Sequence, residues 1–373
     1  MNKQNISLGR ILGIPIGLDY SWFLVFALLT WTLAVSYFPA EFSNWPAAQY
    51  WIVGAITAIL MFASVLLHEL GHSVIALRYK IPVRSITLFI FGGVAQIGAE
   101  PPSARAEFWI AIAGPVVSFA LAILFGLLQP VVGVVAPLLA LARYLAYING
   151  TLAIFNLIPG FPLDGGRVFR AIVWGITHNL RRATLIAANV GRFIAFLFIL
   201  FGVWQVFTGN LGNGLWIAFI GWFLESAASS QVQQQAMHDA LAGRRVSDMV
   251  SHNYTIIPAE TTLQQLVDLH ILGSAQRSFV VTQGDTVIGL LAPQHVKDTP
   301  RDKWPVTTVA QAMIPAAQAK PVQPDEALWT ALEEMEADRV SQLPVVKDGH
   351  MLGMLNLDDI LGFMRTVREL RAQ

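Results

Sequence analysis

Residues 65–72 read VLLHELGH, an H-E-x-x-H motif inside a long apolar segment. Residues four apart lie on one face of an α-helix, so His68 and His72 can present two imidazoles to one metal ion. Glu69 lies beside them and can take a proton from water. Its segment has no other acidic or basic side chain from Tyr50 to Leu77 and is long enough to cross a bilayer. Ionisable groups in a span are costly and usually functional, which favours a metal site over two ordinary buried histidines.

The composition separates a membrane part from a soluble part. Hydrophobic residues make up 55% of the 373 residues and charged residues only 13%, against about 25% charged in soluble domains. Of the 24 acidic residues, seven precede Ser230 and 17 follow it. We therefore predict a membrane domain over residues 1–230 and a soluble region after it.

Two functional limits also follow from the composition. Lys and Arg balance Asp and Glu at 24 each, without a basic run, so we expect no nucleic-acid partner. Cysteine is absent, so histidine and carboxylate side chains must hold any metal ion.

The apolar segments predict six membrane spans, and two further regions predict strands. The first 19 residues carry glycines among β-branched residues, which favours a hairpin at the membrane interface. Residues 81–100 are also β-rich and predict strands that dip into the membrane, where their backbone must pair with protein. The first unit is thus a polytopic α-helical membrane protein with six transmembrane helices and a small membrane-associated β-sheet. The spans are expected at about 20–38, 50–79, 108–128, 138–158, 183–207 and 215–224.

The basic residues predict the orientation. In the six-span arrangement, those of the first 182 residues fall on the N-terminal side, except Arg143 near the start of a span. The positive-inside rule then predicts a multi-pass protein of the cell (plasma) membrane with both termini and the soluble region in the cytoplasm. If Tyr50 marks the outer interface, the predicted metal site is expected toward the cytoplasmic face. The residues on the N-terminal side are Lys3, Arg10, Arg78, Lys80, Arg84, Arg105, Arg167, Arg170, Arg181 and Arg182.

A catalytic zinc site needs a third protein ligand. Residues 156–166, NLIPGFPLDGG, end the fourth span with two prolines and three glycines, which force an irregular backbone near membrane depth. Asp164 is the candidate ligand in this stretch; its alternative role is to cap a short helix over 167–174. His178 is a second candidate, although its polar neighbours favour a solvated side chain.

HELGH together with NLIPGFPLDGG resembles the site-2 protease family of intramembrane zinc metalloproteases (M50 type). The resemblance covers residues 1–230 and includes a Gly114-x-x-x-Ser118 pattern, whose small residues permit close helix contact.

The resemblance implies one Zn²⁺ held by His68, His72 and Asp164, with Glu69 as the catalytic base. It implies that Asn156 is catalytic and contacts the substrate backbone or the oxyanion. The strands at 83–98 would hold an unwound substrate segment by strand addition.

The soluble region contains a repeat. Met249 and Gly289 recur 64 residues later as Met313 and Gly353, and each copy predicts strand, helix, strand, strand and helix. The repeat resembles a soluble α/β tandem CBS domain pair. Its expected parts are a helical linker at 231–245, module 1 at 246–300 and module 2 at 301–373.

The CBS resemblance implies an adenine nucleotide such as ATP, but the residues fit only in part. Ala292 and Asn356 stand where Ser or Thr is usual, and His295 replaces the ribose-binding Asp of the first copy. Asp359 keeps that position in the second copy and is the candidate nucleotide-binding residue, unless it only caps a helix. The alternative is a structural domain, through which a homodimer could form.

The implied function is hydrolysis of peptide bonds within or near transmembrane segments of single-span substrates in the lipid bilayer, that is, regulated intramembrane proteolysis, modulated by the CBS pair. A CBS-regulated membrane transporter is the alternative, but it should carry paired polar residues in several spans. A non-proteolytic membrane scaffold is the other, but it would not need Glu69.

Overall fold

The computed structural model describes residues 5–371 except 91, 275–277, 285, 317, 339 and 349. Phe91, part of the predicted strand region, therefore lies outside the described residues. The chain divides into two compact units, Met1–Gln233 and Gln234–Gln373.

Long apolar helices dominate the first unit. Five of the predicted spans are confirmed as membrane-capable helices, because α1–α4 and α6 are the helices in the described part that are long and apolar enough to cross a membrane. The predicted sixth span lies inside α7, where the apolar residues end at Leu224 and polar residues follow. The predicted count of six is therefore not confirmed. The helices are α1 (Ser21–Glu41, with a π turn at Leu33–Tyr37), α2 (Ala47–Arg78), α3 (Ala104–Val132), α4 (Ala136–Asn156), α5 (Asp164–Thr177), α6 (Leu180–Phe207) and α7 (Leu211–Leu241).

The predicted hairpin and strand region form one sheet in the order β1-β2-β3-β4. Both hairpins are antiparallel, and β2 joins β3 in parallel, with Ile16 opposite Ile86. The alternating pattern of β2 buries every second residue because side chains alternate across a strand. The strands are β1 (Asn5–Ile11), β2 (Ile14–Asp19), β3 (Val83–Phe89) and β4 (Gly92–Ile97).

This sheet packs on the helix that carries the H-E-x-x-H motif. Ile14, Ile16 and Ile86 form a buried cluster with Leu70 of α2. A second cluster joins Leu18 and Leu88 of the sheet to Phe62 and Val65 of α2. The sheet is therefore fixed against the turn of α2 that carries the motif.

Small residues let α3 approach α2 closely, as the Gly-x-x-x-Ser pattern predicts. A Cβ atom on Gly71 of α2 would lie 3.0 Å from the backbone oxygen of Ala113 on α3. Ile110 and Ser118, on the same face of α3, are fully buried. This close approach brings the α3 backbone within hydrogen-bonding distance of the motif.

Helices α6 and α7 form an antiparallel hairpin. A Cβ atom on Gly202 would lie 2.6 Å from the backbone oxygen of Gly214, and one on Gly221 would lie 2.8 Å from that of Ala195. Further along, Ala187 of α6 and Ala228 of α7 share a buried cluster. The first half of α7 thus runs beside α6 over most of its length.

The second unit confirms the predicted repeat of strand, helix, strand, strand and helix. Its first sheet has the order β5-β6-β7-β8, and β9 pairs with β10; a bridge from Val322 to Val345 adds the first strand position of the second copy. The elements are β5 (Thr255–Pro258), α8 (Leu263–Leu266), α9 (Leu272–Ser274), β6 (Phe279–Gln283), β7 (Thr286–Leu291), α10 (Pro293–Lys297), α11 (Val309–Ala312), β8 (Ile314–Pro315), α12 (Leu328–Asp338), β9 (Gln342–Lys347), β10 (His350–Asn356) and α13 (Leu357–Arg371).

The two copies exchange their first segments. Ile314, near the start of the second copy, pairs with Leu290 of β7 in the first. Ser251, near the start of the first copy, pairs with Met354 of β10 in the second. The predicted module boundary at residue 300 thus separates β8 from the sheet that it joins. The exchange covers one edge of each sheet, which protects that edge from pairing with another chain.

Candidate active site

Three side chains from two helices meet at one point in the first unit. His68 and His72 come from α2, and Asp164 is the first residue of α5. The two histidine Nε2 atoms lie 3.2 Å apart, and Asp164 Oδ2 lies 3.1 Å from that of His68 and 3.2 Å from that of His72. Both histidines are 4% exposed. The structure therefore brings together the three predicted metal ligands.

The donor set fits zinc. A tetrahedral zinc ion with bonds of about 2.0 Å has its ligand atoms about 3.3 Å apart, close to the three separations found here. Two neutral imidazoles and one carboxylate form a known catalytic donor set that leaves a fourth position for water or substrate.

Helix α3 holds both imidazoles by their other nitrogen. His68 Nδ1 lies 2.8 Å from Ser118 Oγ, and His72 Nδ1 lies 2.7 Å from the backbone oxygen of Ile110. A carbonyl oxygen only accepts, so His72 must donate from Nδ1. Its Nε2 lone pair is then directed at the carboxylate of Asp164, where a metal ion would bind.

Gly114 of α3 leaves the space in which the ligand atoms meet. A Cβ atom there would lie 2.2 Å from His72 Nε2 and 2.6 Å from His68 Nε2. Only glycine leaves this volume open, and α3 can therefore pack against the two imidazoles.

Glu69 points toward the sheet. Its Oε2 accepts a hydrogen bond of 3.1 Å from the backbone N–H of Ala95 in β4. Gly93, two residues earlier in β4, makes room for the side chain, because a Cβ atom there would lie 2.7 Å from Glu69 Cγ. The carboxylate is thus held between the motif helix and the last strand of the sheet.

The backbone after α4 folds tightly before Asp164. A Cβ atom on Gly165 would lie 2.3 Å from the backbone oxygen of Leu157, and one on Gly166 would lie 2.3 Å from the carbonyl carbon of Gly160. The loop therefore lies directly on the first turn of α5, and the two glycines that follow Asp164 permit it.

The remaining predicted site residues lie apart from this group. Asn156 is the half-buried last residue of α4 and is not one of the three clustered groups. His178 is exposed and ends α5 in a left-handed conformation, which leaves Asp164 as the third group. Asp359 belongs to the second unit, where it is exposed and accepts a 2.9 Å hydrogen bond from Asn356 Nδ2.

Sequence reasoning missed the contacts that support the site. Ser118 and Gly114 were read only as small residues at a helix contact, although the first bonds His68 and the second makes room for both imidazoles. Their spacing of four puts both on one face of α3, but it does not identify His68 and His72 as their partners. The roles of Gly93 and of the Ile110 carbonyl depend on tertiary contacts and leave no local signal.

A glutamate and two imidazoles on a membrane-capable helix, with a carboxylate at the imidazoles, define the class of a membrane metallopeptidase. Comparison with known proteins agrees. The family model described as peptidase family M50 matches residues 56–135 and 132–200, and the CBS domain model matches residues 309–366.

Two relatives align along nearly the whole chain. A candidate zinc metalloprotease of Synechocystis, sll0528, is 35% identical over 367 residues, which cover 98% of this chain and 96% of that protein. Rip3, a candidate zinc metalloprotease of Mycobacterium tuberculosis, is 34% identical over 363 residues, which cover 96% and 92%. The chain therefore belongs to peptidase family M50 and is a zinc metalloprotease with a C-terminal CBS domain.

Among solved structures, the site-2 protease from Methanocaldococcus jannaschii is 29% identical and covers 61% of this chain and 95% of its own, with a TM-score of 0.42.

Proposed function

We propose that this metalloprotease cleaves peptide bonds within or near transmembrane segments of single-span membrane proteins. The observation that carries the proposal is the meeting of His68, His72 and Asp164 ligand atoms within 3.2 Å of one another, with both histidines on a helix long enough to span a bilayer. These three residues are the proposed zinc ligands.

The chain's own residues supply the proton transfers. Zinc bound here would act as a Lewis acid on the scissile carbonyl and on an attacking water molecule. Glu69 takes the proton of the water and delivers it to the leaving amine, and its hydrogen bond to Ala95 N–H keeps the carboxylate oriented for both transfers. Asn156, next to the loop that leads to Asp164, is proposed to contact the substrate backbone.

The edge of β4 is the proposed substrate platform. In the described part of the chain, β4 ends the sheet and has a strand partner only on the β3 side. Val94 and Gln96 are exposed there. An extended segment can pair with such an edge by main-chain hydrogen bonds, which a helical substrate cannot do before it unwinds. Substrates with helix-weakening residues are therefore expected.

The test is Glu69→Gln in the full chain in proteoliposomes, with a single-span substrate and mass-spectrometric detection of products. Loss of general-base catalysis should lower the rate about 10²–10⁴-fold while zinc content stays at wild-type level. Asp164→Asn should lose both activity and zinc. Cleavage by Glu69→Gln at the wild-type rate would refute the assigned base, and transport without cleavage would favour the transporter.

The membrane topology belongs to the same proposal. We propose that α7 is the sixth crossing, because its residues 214–228 run antiparallel beside the fifth span, α6. The chain has no cysteine, so single-cysteine labelling is free of background. With both termini in the cytoplasm, an impermeant maleimide should label Asn44→Cys and Asn210→Cys from outside, and His252→Cys only after lysis. External labelling of His252→Cys would refute the crossing.

The CBS unit has its own candidate ligand site, a cavity of about 290 Å³ lined by both copies, from His295 of the first to Lys320 and Asp338 of the second. Burial lowers the pKa of His295, so this residue is neutral at pH 7. Asp338 accepts a 2.8 Å hydrogen bond from Lys320 and raises the pKa of that ammonium group. A positively charged lysine beside a cavity that is partly lined by apolar side chains suits an adenine nucleotide.

Asp359 does not line this cavity. ATP binding to the purified chain should therefore weaken in Lys320→Ala and persist in Asp359→Ala; the reverse result would return the site to Asp359. Regulation of proteolysis by nucleotide and homodimerisation through the CBS unit stay predictions.

A further inference from the structure

A buried ion pair joins the two helices that complete the metal centre. Glu107, in the first turn of α3, is fully buried, and Arg170 of α5 is 7% exposed. Arg170 Nε donates a 2.6 Å hydrogen bond to Glu107 Oε1, and one of its terminal nitrogens contacts the same oxygen. The Arg170 guanidinium also lies over the Phe161 ring, 5.2 Å from its centre.

Stability alone does not account for this pair. Removing two charges from water costs several kcal/mol per ion, so a buried pair is often no better for stability than two apolar side chains. The second oxygen of Glu107, Oε2, is buried without a hydrogen-bond partner in the described structure. What such a pair does provide is one directed geometry between two helices.

The Glu107–Arg170 pair can influence the position of the metal ligands through both α3 and α5. Glu107 lies one turn before Ile110 on α3, the helix that holds both imidazoles. Arg170 lies six residues after Asp164 on α5, about 9 Å along the axis. The pair therefore joins the helix that orients the histidines to the helix that delivers the carboxylate.

Arg170 also fixes the loop that leads to Asp164, residues 157–163. Phe161, which Arg170 covers, is 3% exposed and packs in a cluster with Ala187 and Ala188 of α6. Rotation or translation of α5 would have to break the ion pair and move this ring.

We propose that Glu107 and Arg170 are positioning residues that set the position of the Asp164 carboxylate relative to His68 and His72. The inference rests on the proposed zinc ligands and adds two residues that touch neither metal nor substrate. Supporting residues of metal sites typically change affinity by about 10–100-fold when they are altered.

The test measures metal affinity of the full chain in detergent, by competition with a chromophoric chelator and by the visible spectrum of bound Co²⁺. Glu107→Gln and Arg170→Gln should bind Zn²⁺ about 10–100-fold more weakly and change the Co²⁺ spectrum. Arg170→Lys keeps the positive charge but lacks the planar guanidinium group, so its Zn²⁺ affinity should fall between the affinities of these two variants and that of wild type. Glu41→Gln is the matched control, since its pair with Arg143 is half-exposed and joins α1 to α4.

A single variant with an unpaired buried charge could fail to fold, so the double variant Glu107→Leu/Arg170→Met is included; it removes both charges and retains apolar packing. Weaker metal binding by the folded double variant supports positioning, and wild-type affinity overturns it. Wild-type affinity and spectrum in Glu107→Gln would also overturn it. Asp164→Asn keeps the two failures distinct, because wild-type affinity in that variant would refute the zinc ligands themselves.

Discussion

The α-carbon of Gly114 faces the imidazole of His72 so closely that a Cβ atom would lie 2.2 Å from Nε2. We predict that Gly114→Ala loses zinc, because the added methyl group occupies the space in which the ligand atoms meet. Metal analysis of the purified variant measures this. Gly126→Ala on the same helix is the matched control, since a Cβ atom there meets nothing within 4 Å in the part of the chain that the structure describes. Full zinc occupancy in Gly114→Ala would show that the histidines bind no metal at this point.

Ser118→Ala should weaken zinc binding about 10–100-fold. The variant leaves His68 Nδ1 without its 2.8 Å partner, so the imidazole is no longer fixed in orientation. A chelator competition assay gives the affinity. Ser73→Ala is the control, because among the described residues the hydroxyl of this buried serine bonds only the backbone oxygen of Glu69 in its own helix. Equal affinities in the two variants would contradict the role of Ser118.

Gly93→Ala should give the opposite signature from Gly114→Ala: zinc is retained and turnover falls. The new Cβ atom would lie 2.7 Å from Glu69 Cγ, so the carboxylate must move while the ligands stay in place. Metal content and kcat of one preparation provide the test. Loss of zinc with loss of activity would mean that β4 supports the ligands and not only the base.

Gly166→Ala should destabilise the protein and weaken zinc binding, because its Cβ atom would lie 2.3 Å from backbone carbon of Gly160 and would push the loop away from Asp164. Gly175→Ala, on the same helix, has a nearest neighbour at 3.8 Å and should gain up to about 1 kcal/mol of helix stability. The melting temperatures of Gly166→Ala and Gly175→Ala, measured by thermal unfolding in detergent, compare the two variants. Equal melting temperatures would contradict the tight packing of the loop.

The local parts of the fold followed from the sequence because they depend on near neighbours. Apolar runs of about 19 to 30 residues predicted five of the six spans, and the spacing of four in HELGH put both imidazoles on one helix face. The sixth crossing stays a proposal, because the apolar stretch after Leu215 is short. Its interpretation depends on glycines of α7 that contact α6, 12 or more residues away in the chain.

By itself the sequence determined the motif helix, the strand region, the repeat and the residue types able to hold a metal ion. Each is a matter of local periodicity or of side-chain chemistry. The tertiary structure alone decided that Asp164 and not His178 completes the group, that Ser118 and the Ile110 carbonyl orient the histidines, and that Glu107 meets Arg170. These pairs lie 38 to 96 residues apart, and such distances are set by the packing of whole helices, which no local pattern encodes.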